Sequence, residues 1–417
     1  MGKEAVVLGA GIVGLSAALH LQLRGWQVLL LDRRGAGEET SSGNAGLVQR
    51  EAVFPQPFPR DWKELLRYAG NRDPRARYRL SALPSMIAPF HQYWKNSEAG
   101  RYHAVARHYG ALIRHCLEDH LSLAAVAGAE HLYHPGGWVQ VFREGPRFHR
   151  ESLQAAYRKL HFDVEYRLWE PDVLAARLPA LRRGLAGAIH WTQPLSLQDP
   201  LALSRKYLDA FLHLGGRFQT GTLLSLVPGK PGWEIRTSAG KEVSPHVVLA
   251  LGPWSADFTA PLGYRPPVFV KRGYHMHYAR PEAPALECPV LDTEGGYVLA
   301  PMRQGIRLTT GAEFARRDDP PSPVPLDRAE AAARRFCPGL GARLDPAPWL
   351  GSRPCTADML PVIGPLAAHS GLWLAFGHCH QGLTLGPGTG RLLAQLMEGE
   401  SPFTGVHPYR PERFPVH

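Results

Sequence analysis

No apolar run in this sequence reaches the ~18 residues that a membrane-spanning helix needs, so no such helix is expected. No basic segment followed by an apolar one precedes the first strand, which argues against a secretory signal. Cysteine is scarce. The five are Cys116, Cys288, Cys337, Cys355 and Cys379, an odd count with no C-x-x-C pair. That pattern argues against a disulfide framework and fits a reduced, cytoplasmic setting. Repeats, low-complexity tracts, blocks of five like charges and nucleic-acid motifs are also absent. The charge is nevertheless lopsided, with 47 Lys and Arg against 37 Asp and Glu, a net of +10. Scattered arginines such as Arg143, Arg182 and Arg316 read as a solvated basic surface. Nucleic acid, an anionic membrane surface or an anionic substrate could each account for the charge, and among partners the membrane surface is favoured over RNA.

What is present gathers first at the N-terminal end. Ala5-Val6-Val7-Leu8 reads as a short buried strand, and Ile12, Leu15, Leu19 and Leu23 recur at helical spacing. Gly9, Gly11 and Gly14 lie between and within these elements. In such a turn the first glycine permits the bend and the second lets backbone approach a pyrophosphate. The third lets helix and strand pack closely. The backbone of Ile12 and Val13 then opens a helix whose positive end faces the phosphates. A second apolar strand, Val28-Leu29-Leu30-Leu31, runs into Asp32 and Arg33. A carboxylate there accepts hydrogen bonds from an adenosine ribose. This order predicts a dinucleotide site. A dehydrogenase using only NAD is one class that satisfies it.

At 417 residues two domains are the default. A polar loop, Glu39 to Gly46, follows the second strand, and Pro55, Pro57 and Pro59 mark a domain crossing. Residues 60–127 read mostly helical, with Leu65, Tyr68, Ile87, Phe90 and Trp94 as core. Trp138 to Phe142 alternates as a strand, and a helix over 200–214 ends at Gly215-Gly216. A β-meander is expected from Arg217 to Gly252, antiparallel strand over 266–310, and a helix over 326–336 capped by Asp327. The C-terminal part returns to strand, glycine-rich turn and helix, over 372–376, 377–382 and 389–397. Crossings of nucleotide type at both ends predict a discontinuous nucleotide domain with a second domain inserted through it.

Four blocks together carry a family resemblance: VVLGAGIVGLSAALHL with LLLD, Ser42-Gly43-Asn44-Ala45-Gly46, Ala250-Leu251-Gly252-Pro253-Trp254-Ser255, and Gly351-Ser352-Arg353-Pro354-Cys355-Thr356-Ala357-Asp358 running on to the Gly377–Gly390 turn. They resemble the FAD-dependent D-amino acid oxidase/dehydrogenase superfamily, most closely its bacterial D-amino acid dehydrogenases. Two features depart from it. Asp32 stands where glutamate is common, and His378-Cys379-His380 fills a turn that often carries small residues.

The resemblance implies an α/β fold. A Rossmann-like FAD-binding domain is built from 1–58, 199–262 and 346–417, and an antiparallel-sheet-plus-helices substrate domain from 59–198 and 263–345. It implies non-covalent FAD held by Gly9, Gly11, Ile12, Val13, Gly14, Asp32, Arg33, Ser41, Ser42, Asn44, Ala45, Gly46, Leu224, Gly252, Trp254, Gly382, Leu383 and Thr384. Leu224 is the position whose backbone holds the adenine; Cys355 is expected to be a buried thiol, not a covalent link. Arg353 is implied as the anchor of the substrate carboxylate, with Tyr274 assisting and His378 beside the flavin. A metal site from His275, His277, His378 and His380 is not expected, because no acidic ligand stands beside them. The implied reaction is oxidative deamination of an amino acid, in the D form by the resemblance alone. Hydride passes from Cα to flavin N5, giving a 2-oxo acid and ammonia, and electrons go on to a quinone at the inner membrane face. The same chemistry on a secondary or cyclic amine (D-proline, hydroxyproline, sarcosine or glycine) is the alternative, and a flavoprotein acting on RNA is the second.

Overall fold

The computed structural model describes residues 2–282 and 284–414. Its first sheet has six strands in the order Arg217–Thr220, Gln27–Asp32, Glu4–Leu8, His246–Leu249, Leu372–Phe376 and Val362–Pro365. The first five run parallel and the last pair is antiparallel. Val7, Leu30 and Val248 bury on one face and Val6, Leu29 and Val247 on the other. Both faces are covered, which is why these strands read as unbroken apolar runs.

Helices Ile12–Gln22 and Gly382–Glu398 lie against each other on one face. Gly390 makes that approach possible, since a Cβ there would sit 2.5 Å from the Ser16 carbonyl carbon. The second helix begins at Gly382, earlier than expected. Its Gly386, Gly388 and Gly390 resemble a turn in sequence but serve close packing.

The second sheet has ten strands, and its longest strand is Val268–Tyr278. Trp349–Thr356 pairs with it antiparallel, Lys271 opposite Arg353 and Gly273 opposite Gly351. The same strand pairs with Gly305–Thr309 along its other half.

Several local expectations need correction. Arg217–Thr220 joins the first sheet beside Gln27–Asp32, and only Leu223–Pro228, Trp233–Thr237 and Gly240–Ser244 form the antiparallel meander. Leu65, Ile87 and Trp94 are exposed, so the 60–97 region is less core than its apolar count suggested. Trp94 instead carries the Arg60 guanidinium on its ring at 4.1 Å. Asp327 lies within the first turn of helix Val324–Phe336, not at its cap, and accepts from Arg343. Among the described residues, no helix is long and apolar enough to cross a membrane.

Candidate active site

A cavity of about 670 Å³ runs from the end of the first sheet to strand Val268–Tyr278 of the second. At its first end stands the glycine turn. Gly9 has φ +105°, and a Cβ on it would lie 2.4 Å from the Ala250 oxygen. A Cβ on Gly14 would lie 1.8 Å from the Gly9 oxygen. Gly11 meets only the Ser41 hydroxyl, at 3.3 Å, so its missing side chain leaves open cavity. Ile12 donates its backbone N–H to that hydroxyl at 3.0 Å. Asp32 accepts from the Ala10 and Arg34 backbones at 2.6 and 3.1 Å. Burial raises its pKa. Arg33 lies over the Trp254 ring at 4.0 Å, and both border the cavity with Gly252.

Ser41, Asn44 and Ala45 border its middle. Sequence reasoning missed what fixes this loop. Arg307 donates to the carbonyls of Ser42 and Asn44, at 2.9 and 2.6 Å. Its Nε donates to His277 Nε2 at 3.0 Å, and His277 Nδ1 donates to Asp345 at 2.8 Å. Burial pulls the Arg307 pKa down to about 10, still fully charged at neutral pH. The one sequence signal was an arginine inside the apolar strand Gly305–Thr309. Arg307→Met should therefore fold but lose FAD affinity by about tenfold or more, since a single charged hydrogen bond contributes ~1.5–3 kcal/mol. Fluorescence titration of apoprotein with FAD checks this.

At the far end Arg353 enters the cavity beside Gly273, where a Cβ would lie 2.3 Å from its Nη2. Among the described residues its guanidinium makes one hydrogen bond to protein, a long one to the Gly311 carbonyl at 3.4 Å. Among the described residues no carboxylate pairs with it, and burial lowers its pKa. Trp349, also unforeseen, stacks on His275 at 4.7 Å and covers Gly43 and Gly351. A Cβ on either glycine would fall within 2.0 Å of the indole. His378 borders the cavity, bonds Thr389 Oγ1 at 2.9 Å and is held neutral by burial, its pKa lowered to about 3. Gly382 and Leu383 present the N-terminus of helix Gly382–Glu398 to the same space. His120 bonds the Leu383 carbonyl at 2.8 Å and steadies that turn.

Some expected residues stand elsewhere. Tyr274 does not face the cavity. Strand parity puts Lys271 and Gly273 on the cavity side and Arg272 and Tyr274 on the other. The Tyr274 hydroxyl instead donates to Glu313 at 2.6 Å and accepts from Arg272 and the Ser322 N–H. Leu224 is 64% exposed and off the cavity wall, where its neighbour Leu223 lies instead. Gly14, Ser42, Gly46 and Thr384 also stand behind the wall; Thr384 bonds the backbone of Leu47 and Gln49. His275 and His277 adjoin, but among the described residues no three His, Cys, Asp or Glu side chains are grouped to hold a metal.

The sequence matches the family described as FAD dependent oxidoreductase over residues 4–396. It is 29% identical over 416 residues to a glycine oxidase of Pseudomonas aeruginosa, covering 99% of both chains. It is 29% identical over 422 residues to a D-amino acid dehydrogenase of Cereibacter sphaeroides, covering 95% of this chain and 92% of the other. Among solved structures, a glycine oxidase from Geobacillus kaustophilus superposes with a TM-score of 0.74 at 20% identity. That superposition spans 99% of this chain and 98% of the other, and supports the fold.

Proposed function

Because this chain belongs to the family of FAD-dependent oxidoreductases, we propose that it oxidises the Cα–N bond of an amino acid, in the D form, with water then releasing a 2-oxo acid and ammonia. The observation that carries this reading is Arg353, a guanidinium inside the cavity without a carboxylate partner among the described residues. A planar fork of donors suits a substrate carboxylate better than any other side chain does. The names of both relatives agree with an amino acid substrate, and that of the Cereibacter sphaeroides relative with a D enantiomer.

The cavity fits FAD. The space at Gly11 admits a pyrophosphate against backbone, and Asp32 offers a carboxylate for ribose hydroxyls. Bound FAD supplies the two-electron acceptor. The chain's own part is positioning and electrostatics. Arg353 fixes the carboxylate and thereby the direction of the Cα–H bond. Trp349 lines the site over Gly43 and Gly351. The N–H groups at Gly382 and Leu383, with the helix behind them, favour negative charge developing beside them. Neutral His378 adds a polar contact without adding charge. No general base is required if the amine binds neutral. A panel of D-alanine, glycine, sarcosine and D-proline with a dye acceptor tests the reading and separates primary from secondary amines. No turnover with any amino acid would refute it.

The electron acceptor in this reading is a membrane quinone, reached by peripheral attachment at the cytoplasmic face. Support comes from the net charge of +10 and from helix Trp62–Ala69. That helix buries none of its residues; Trp62 and Leu66 are exposed beside Lys63 and Arg67. Arg67 is held by Asp73 at 2.9 Å and by Glu64, so the edge offered to an anionic lipid interface is Trp62 and Leu66 with Lys63, each well-placed Lys or Arg contributing about 1 kcal/mol. Sedimentation with phosphatidylglycerol vesicles should occur at low salt and fade as salt rises. A soluble quinone should outpace air as acceptor. Rapid peroxide formation without added acceptor, and no vesicle binding at low salt, would contradict both points.

A further inference from the structure

The cavity holds a second cation that a single carboxylate does not account for. Lys271 and Arg353 face each other directly across the antiparallel pair Val268–Tyr278 and Trp349–Thr356, and both side chains border the cavity. Directly opposed residues in such a pair have Cβ atoms about 4.5–5.5 Å apart, and like charges there repel. Lys271 is 8% exposed. Its Nζ donates to the Tyr93 hydroxyl at 3.1 Å and lies 4.9, 5.7 and 5.8 Å from the Tyr93, Phe269 and Phe314 ring centres. These groups fix its place without neutralising it. Among the described residues no carboxylate pairs with it.

His380, on the same wall, adds no charge: burial and the neighbouring Lys271 and Arg353 lower its pKa to about 3. Two buried cations with no counter-charge are costly unless a ligand supplies it. Resting on the amino acid reading above, we propose that the preferred substrate is dianionic, an amino acid or N-carboxymethyl amino acid with a second carboxylate, one carboxylate on Arg353 and the other on Lys271. The competing counter-charge is Cys355. Burial opposes ionisation of its thiol, but a hydrogen bond with Cys379 and the charges of Lys271 and Arg353 outweigh it and lower its pKa. A Cys355 thiolate would leave one free cation and favour monocarboxylates.

The test uses the FAD-loaded enzyme. Aspartate and glutamate (both enantiomers) and iminodiacetate are compared with alanine (both enantiomers) and glycine. The dicarboxylates should lead in kcat/KM by about tenfold or more, the scale of one added charge-assisted contact. A readout apart from turnover is the flavin spectrum: malonate and succinate should perturb it at lower concentration than acetate and propionate. Lys271→Met should cut the dicarboxylate-to-monocarboxylate ratio of kcat/KM by about tenfold or more, and Lys271→Arg should restore part of it. Monocarboxylates preferred by the unaltered enzyme, or a ratio unmoved by Lys271→Met, would overturn the proposal. Failure of the amino acid reading itself looks different, because then neither class reduces the flavin.

Discussion

Arg353→Ala is expected to lower kcat/KM by roughly 30- to 5,000-fold, the equivalent of the ~2–5 kcal/mol lost on truncating one partner of a buried charge pair. Arg353→Lys should fall between this and the unaltered enzyme, because it keeps the charge and loses the two-pronged fork. The flavin spectrum should be intact in both, since Arg353 stands at the opposite end of the cavity from the glycine turn. Gly273→Ala offers a control on placement. A methyl there meets Arg353 Nη2 at 2.3 Å, so it should raise KM by displacing the guanidinium while keeping its charge. Steady-state kinetics on the three variants checks the set. Unchanged constants in both Arg353 variants would remove that residue from the substrate site.

Gly11→Leu should yield folded, colourless protein. The position borders the cavity, and its Cβ would approach only the Ser41 hydroxyl, so the chain tolerates a side chain while the cofactor's phosphates do not. Gly14→Val should instead fail to fold, because its Cβ would sit 1.8 Å from the Gly9 carbonyl oxygen. Circular dichroism together with flavin absorbance separates the two outcomes. A yellow Gly11→Leu protein with full FAD content would contradict the assignment of that space to the cofactor.

The nucleotide end was legible because its signal is local. Strand, glycine turn, helix and acid follow one another within the first residues, and each is dictated by backbone chemistry. The substrate end depends on pairings that no local pattern reveals. Tyr274 was placed by resemblance, but strand parity turns it toward Glu313 and gives the cavity to Gly273 and Lys271. Arg307 was overlooked because its partners, the carbonyls of Ser42 and Asn44, lie more than 260 positions away. Trp349 stands outside the motif that follows it, and only the two glycines it covers record its presence. Leu65 and Ile87 were misread because apolar spacing gives the face of a helix and not what covers it.

Whether this chain oxidises amino acids with FAD as acceptor is decided in an anaerobic cuvette. Purified holoprotein is mixed with excess D-alanine, and separately with excess D-aspartate, and absorbance near the flavin band is followed. The band should bleach with one or both, one equivalent of the matching 2-oxo acid should appear per flavin, and Arg353→Ala should bleach far more slowly. An oxidised flavin spectrum that persists with these and with glycine, sarcosine and D-proline would contradict it.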